Sequence, residues 1–277
     1  MRATIYHHMD ILAAFKHAYA DTLKDPGLFE RIQQVKDALY RRSYLEAFGT
    51  SSNLEAYIVR WSPSRALAYA AIFEKYDATR SVLNKNTNAL CIGGGAGAEI
   101  AALSVFNVDK IVAIDVGNWA PVTGKLAKEL GMQNLEIVKG DALKKIASMD
   151  LSQTNLVTCL FTTNELVAQS KAGYVKMLQE LNRCPSGALL VVIESAGSYS
   201  EIQIGQKKFP VHFLLHYTLT KTPDLWELID STDSEWYRLP EGLNYPWELQ
   251  NMRYFLRIYR RKAPSPTLQH RDRRAGR

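Results

Sequence analysis

Ala89-Leu90-Cys91-Ile92-Gly93-Gly94-Gly95-Ala96-Gly97-Ala98-Glu99-Ile100 is the stretch on which the fold turns. It opens as an uninterrupted apolar run, the pattern of a buried strand. Glycines follow at alternate positions, and a helical pattern begins at Glu99-Ile100-Ala101-Ala102-Leu103. Glycines at 93, 95 and 97 let the chain turn sharply and bring bare backbone against a ligand, because no Cβ stands in the way. The helix behind them turns its N–H groups toward the same point. A strand, glycine loop and helix in this order cradle a nucleotide.

Two cofactor classes use such a turn. Gly93, Gly95 and Ala98 fit the G-x-G-x-x-G/A spacing of dinucleotide sites. Gly93, Gly95 and Gly97 fit the G-x-G-x-G turn of S-adenosylmethionine enzymes. The next apolar run, 110–115, ends in Asp115 followed by Val116, where an acid takes a ribose diol in either class. The third, 134–139, leads to Gly140-Asp141-Ala142. An acid there suits the exocyclic amine of an adenine lying across the sheet, an arrangement habitual in S-adenosylmethionine enzymes. Either acid alone also reads as a helix N-cap. Both together, at successive strand ends after that loop, favour methyl transfer over dinucleotide chemistry.

At 277 residues the chain has room for one large domain with an appendage, or two small ones. No apolar run reaches the roughly 18 residues of a membrane span, and the N-terminus lacks the apolar core of a signal peptide. Cys91, Cys159 and Cys184 are scattered, without zinc-ligand spacing, and read as buried thiols of a reducing compartment. The net charge of +6 is concentrated: residues 253–277 hold nine Lys/Arg against Asp272, which leaves the remainder slightly acidic. Such a basic end meets polyanions such as RNA, or is merely solvated.

Residues 1–85 read as a helical extension. Asp25-Pro26 resembles an N-cap with a first-turn proline, followed by Leu28, Ile32, Val35 and Leu39 at helical spacing. Ser62-Pro63 repeats the device before Ala66, Leu67, Ala70 and Phe73, with Tyr57–Trp61 as a separate piece before it; Thr79–Asn88 is a polar linker. From residue 86 to 262 strands and helices alternate, which calls for a Rossmann-like α/β domain: a mostly parallel seven-stranded sheet with helices on both faces. Strands are expected at 89–92, 110–115, 134–139, 155–161, 188–194, 210–219 and 251–260, and helices at 120–130 and 168–182. Residues 221–250, rich in acids and aromatics, form an insertion, and 263–277 a disordered basic tail. In the last strand Met252, Tyr254, Leu256 and Ile258 face one way, and Arg253, Phe255, Arg257, Tyr259 and Arg261 the other. The second face is either an RNA platform or an arginine row packed over its own aromatics, and packing is the preferred reading.

Three stretches together resemble one family: Arg60-Trp61-Ser62-Pro63-Ser64-Arg65-Ala66-Leu67-Ala68-Tyr69, the glycine loop itself, and Asn251-Met252-Arg253-Tyr254-Phe255-Leu256-Arg257-Ile258-Tyr259-Arg260-Arg261. They look like the fungal methyltransferases that modify N3 of a uridine in large-subunit (25S) ribosomal RNA. The resemblance spans roughly residues 30–262. It implies a class I, S-adenosylmethionine-dependent enzyme that acts on ribosomal RNA or a pre-ribosomal particle in the nucleolus, with the cytoplasm as the alternative; a monomer is expected, and a non-catalytic ribosome-assembly factor of the same fold or a small-molecule methyltransferase are the competing readings. No membrane and no metal are implied. One departure stands out. Cys91 lies two residues before the first glycine, where many class I members carry an acid that helps hold the methionine amino group. That contact must come from elsewhere or from backbone carbonyls.

The cofactor set is then Arg60, Gly93, Gly94, Gly95, Gly97, Asp115, Val116, Asp141, Ala142, Phe161 and Thr162. Phe161-Thr162-Thr163-Asn164-Glu165 closes the fourth strand, where such enzymes place substrate-facing groups. Asn164 is read as holding a uracil carbonyl and Glu165 as taking the N3 proton; for Glu165 a first-turn acid favoured by the helix dipole is the preferred reading. Glu194 and Ser195 are second candidates. Arg60, Trp61 and Arg65 either close over cofactor or base, or are surface and core residues. His212 and His216 are expected to pack, and Tyr217-x-x-x-Lys221 is a chance match to a reductase pair.

Overall fold

The structure, a computed structural model, describes residues 2–197, 201–204, 207–221 and 225–263. The tail beyond 263 lies outside the described residues. Contacts divide the chain into two compact units, Met1–Ala142 with Trp236–Arg253, and Leu143–Glu235 with Tyr254–Arg277.

The first unit begins with helices α1 (Arg2–Ala18), α2 (Ala20–Lys24), α3 (Leu28–Tyr40), α4 (Tyr44–Ala47), α5 (Ser51–Lys75) and α6 (Asp77–Val82). Asp25 closes α2 rather than opening a helix, and its carboxylate accepts the Gly27 N–H at 2.8 Å and pairs with Arg31. The separate piece and second cap expected at Tyr57–Pro63 do not exist: α5 runs from Ser51 straight through Pro63. A proline inside a helix leaves the carbonyl four residues earlier without its N–H partner. Here that carbonyl belongs to Val59, and the Tyr245 hydroxyl donates to it at 3.1 Å. The flanking serines also reach outward. Ser62 Oγ donates to the Ala96 carbonyl at 2.7 Å, and Ser64 Oγ accepts the Gln250 N–H at 2.9 Å. The linker is shorter than expected, because α6 takes up its first half.

Strand β1 (Asn88–Ile92) leads through the glycine loop to α7 (Ala98–Ser104), then β2 (Lys110–Asp115), α8 (Ala120–Glu129), β3 (Leu135–Lys139) and α9 (Ala142–Lys145). β1 pairs in parallel with β2, and β2 with β3, in the registers Ala89↔Ile111 and Ile111↔Leu135.

The second unit holds β4 (Leu156–Leu160), α10 (Thr163–Gln169), α11 (Lys171–Glu180), β5 (Leu189–Ser195), a hairpin of β6 (Glu201–Ile204) and β7 (Lys207–Pro210), α12 (Val211–Thr220), β8 (Trp226–Tyr237) and β9 (Met252–Arg261). β4 and β5 are buried along almost their whole length, as parallel strands covered on both faces must be. β9 runs antiparallel to β5, opposing Glu194 with Phe255. The seven-stranded sheet has the order β3-β2-β1-β4-β5-β9-β8.

Two expectations fail here. The apolar run read as a strand at 210–219 is helix α12: Val211, Leu215 and Leu219 recur every four residues and are the buried ones. Within the stretch read as an insertion, residues 226–237 form a twelve-residue strand, β8. The alternate face of β9 is no RNA platform. Phe255, Arg257 and Tyr259 are buried; His212 meets Phe255 edge-on at 5.3 Å, and Arg257 donates to the Thr232 carbonyl and pairs with Asp233.

Candidate functional site

In the first unit the loop after β1 takes its shape from two left-handed residues, Gly93 (φ 78°) and Gly97 (φ 82°), which a side chain would strain. Between them Gly94–Ala96 form one tight turn. Gly95 is required for another reason: a Cβ there would strike the buried indole of Trp119. The loop is fastened on several sides. Gly93 N–H donates to the Ile114 carbonyl at 2.8 Å, Thr123 Oγ1 to the Gly95 carbonyl at 2.6 Å, and Ser62 to Ala96 as above. Phe48 and Tyr57 pack on Trp119, with ring centroids 5.3 and 5.8 Å away, and Trp61 lies 5.0 Å from Tyr57. The helical leader thus braces the loop through aromatics.

Asp115, the last residue of β2, is half-buried. Its two oxygens accept the N–H groups of Gly95 (3.2 Å) and Gly117 (3.1 Å). Burial pushes its carboxyl above the ordinary value, against the opposing pull of those hydrogen bonds. Val116 beside it is 53% exposed, an apolar surface at the strand end. Asp141 is half-buried, and Ala142 is buried at the start of α9. Arg60 donates to the Glu248 carbonyl at 3.1 Å, so its guanidinium fastens α5 to the 238–250 segment. Arg65 likewise donates to the Tyr57 hydroxyl at 2.6 Å.

The sequence reading overlooked Glu99. It sits in the first turn of α7 with 2% exposure, and its side chain leans back along the helix. A Cβ placed on Gly94 would collide with the Glu99 carboxylate on one side and Cys91 Cβ on the other. The acid missing at position 91 is therefore present, delivered from the helix instead of the strand. Its signal was an acid at a helical position otherwise surrounded by Ala, Ile and Leu.

In the second unit Phe161 follows β4 with φ 56°, in the left-handed region that a bulky residue adopts only when its surroundings impose it. Its N–H is held by the Ile193 carbonyl at 2.8 Å. Thr162 then stands at the N-cap position of α10, without a side-chain cap, and the first turn carries Asn164, partly buried, and Glu165, exposed. Glu194 is 3% exposed; Oε2 accepts the Asn164 N–H at 3.2 Å and Oε1 the Ser195 N–H at 2.9 Å. It fixes the chain around Asn164. His212 and His216 pack on β9 as expected, His216 Nδ1 lying 3.3 Å from the Tyr259 hydroxyl. Tyr217 and Lys221 lie on α12 and at its end, in a helix instead of the expected strand.

The loop and strand ends suit an adenosyl cofactor. Bare backbone with left-handed glycines, a half-buried acceptor for a ribose diol, and a buried carboxylate beside the loop match a ligand bearing a diol and an ammonium group. Among the described residues no cluster of three His, Cys, Asp or Glu could hold a metal ion, and no helix is long and apolar enough to cross a membrane.

Comparison with known proteins agrees. Residues 15–145 and 131–260 match the Methyltransf_34 model, a SAM-dependent methyltransferase family. Over 290 aligned positions, 86% of this chain and 79% of the other, the sequence is 36% identical to the 25S rRNA (uridine(2843)-N(3))-methyltransferase of Saccharomyces cerevisiae. A solved structure from work on conversion of a disulfide bond into a thioacetal group during echinomycin biosynthesis superposes with a TM-score of 0.50 at 16% identity. It covers 75% of this chain and 87% of its own, a likeness of fold. An rRNA methylase from Streptococcus thermophilus gives a TM-score of 0.43 at 15% identity, over 69% of this chain and 96% of its own. Glycine loop, acids at the strand ends and sequence match agree: the chain belongs to the family of S-adenosylmethionine-dependent methyltransferases.

Proposed function

We propose that this enzyme methylates N3 of a uridine in large-subunit ribosomal RNA. The observation that carries the proposal is the 36% identity across 86% of the chain to a yeast enzyme named for that modification. The intact loop and Asp115 support turnover over a purely structural role. On this reading the enzyme works in the nucleolus on a pre-ribosomal particle.

Bound, the cofactor supplies an electrophilic methyl group on a positively charged sulfur. Asp115 would hold the ribose diol by accepting its hydrogen bonds, Val116 and Ala142 would hold the adenine, and Asp141 would accept from its amine. Glu99 would take the place of the acid absent at Cys91 in holding the α-ammonium of the methionine moiety. Gly93 to Gly97 admit the ligand by their lack of side chains. Positioning accounts for much of such a rate. Asn164 orients the uracil through a carbonyl, and Glu165, exposed at the helix start, takes the N3 proton so that the nitrogen lone pair is free to attack. Phe161 and Thr162 set the entry to that turn.

Mass spectrometry of nucleosides from purified large-subunit RNA tests the proposal. Deleting the gene should remove one 3-methyluridine per ribosome. Alleles with Asn164→Ala or Glu165→Gln should express stably yet restore about one to ten per cent of the initial rate, the loss expected for one orienting hydrogen bond or one proton acceptor. Undiminished 3-methyluridine after deletion would overturn the substrate assignment.

A further inference from the structure

An enzyme acting on RNA needs an exposed surface for bases and phosphates, and the face of β9 with that composition is buried. The second unit carries another. In α12 the buried positions are Val211, Leu215 and Leu219, which leaves Phe213 and Tyr217 on the outside, 47% and 53% exposed. They are a helical step of four apart, about 6 Å along the axis. Phe209, at the end of β7, stacks on Phe213 with ring centroids 5.1 Å apart and planes inclined by 20°. At the other end Lys221 Nζ lies 5.5 Å from the centre of the Tyr217 ring. Lys207 and Lys208 are exposed in β7. From Lys207 to Lys221 the chain has three lysines and no Asp or Glu.

Two half-exposed rings are unusual for a helix whose other face already meets the core. A row of aromatics with a lysine at each end has the composition that stacks bases and pairs phosphates along a single strand. A protein partner is a poorer fit, because lysine is depleted in the cores of such interfaces. Building on the RNA substrate proposed above, we infer that Phe213 and Tyr217, flanked by Lys207, Lys208 and Lys221, form a stacking platform for a single-stranded segment of that RNA. Each ring takes one base, and the lysines neutralise phosphates on either side. Histidines 212 and 216 hold the helix to β9, so the platform is presented on a fixed support.

Fluorescence anisotropy with a labelled twelve-nucleotide oligouridylate and a duplex of equal length tests this on the full chain. Phe213→Ala and Tyr217→Ala should each weaken single-strand binding about tenfold, and Tyr217→Phe, which keeps the ring, should retain wild-type affinity. Lys207→Ala with Lys208→Ala should flatten the slope of log affinity against log salt by about 1.4. S-adenosylhomocysteine binding by calorimetry should be unchanged in all of them, and melting temperature should fall only slightly, by the loss of local contacts such as the Phe209–Phe213 stack. Wild-type affinity in both aromatic variants, or preference for the duplex, would overturn the platform. A wild-type chain that binds no oligonucleotide would also overturn it, while nucleoside analysis would decide the methylation proposal independently.

Discussion

Asp115 and Glu194 are both acids at the carboxyl ends of strands, one in each unit, and the structure gives them different surroundings. Asp115 is half-buried, held by the N–H groups of Gly95 and Gly117. Glu194 is sealed off, each of its oxygens engaged by the backbone N–H of Asn164 or Ser195. A strand-end acid can hold a ligand or hold the chain. What the oxygens meet separates the two: both oxygens of Glu194 are taken by the backbone below the surface, whereas Asp115 keeps part of its surface open at the strand end.

The largest effect that tests this contrast concerns ligand affinity. Asp115→Asn should weaken S-adenosylhomocysteine about a hundredfold by calorimetry, and 5′-methylthioadenosine, which keeps the ribose, equally. Glu99→Gln should weaken S-adenosylhomocysteine about tenfold and leave 5′-methylthioadenosine, which lacks the ammonium, unchanged. Because burial raises the Asp115 carboxyl above its ordinary value, wild-type affinity should fall on acidification before a solvent-exposed aspartate would protonate, and the Asn variant should lose that dependence. Equal losses of both ligands in the Glu99 variant would remove its assigned partner.

Stability is the next test. Glu194→Gln replaces one of two backbone acceptors with a donor and should cost about 2 kcal/mol in chemical denaturation, with S-adenosylhomocysteine affinity intact. Weaker cofactor binding at unchanged stability would reverse the contrast with Asp115.

The smallest effect is pH-dependent. Burial, then the nearby Arg257, holds His212 below its ordinary value, and His216 adds to this while Asp233 opposes it. A histidine with a lowered folded pKa binds protons more readily when unfolded, so stability declines as pH drops below about 6.5 and levels off beneath the folded value. His212→Asn should lessen that decline in melting temperature between pH 7 and 5. An identical decline in the variant would assign it to other groups.

The cofactor half was legible because local chemistry dictates it. Gly93 and Gly97 adopt backbone angles that other residues avoid, Asp115 ends a continuous apolar run, and strands β1 to β5 lie within a residue or two of where their apolar runs place them. What the sequence concealed depends on distant partners. Nothing local to Ser62-Pro63 says that the helix passes through the proline, since the hydroxyl that makes this tolerable is 186 positions away. Val211–Thr220 is apolar on most sides, so strand and helix periods compete until β9 selects the helix. Glu99 was passed over because an acid in a first turn is ordinary; only the collision at Gly94 shows where its carboxylate lies.

The proline within α5 has a consequence for how the chain is made. Val59 leaves the ribosome long before Tyr245, and Ser64 long before Gln250, so throughout most of translation the middle of α5 lacks the two contacts that complete it. The first unit therefore cannot close in the order of synthesis. It waits for residues 236–253, which arrive only after most of the second unit has emerged. A nascent chain released before Tyr245 carries every glycine of the cofactor loop on a helix that is still unlatched.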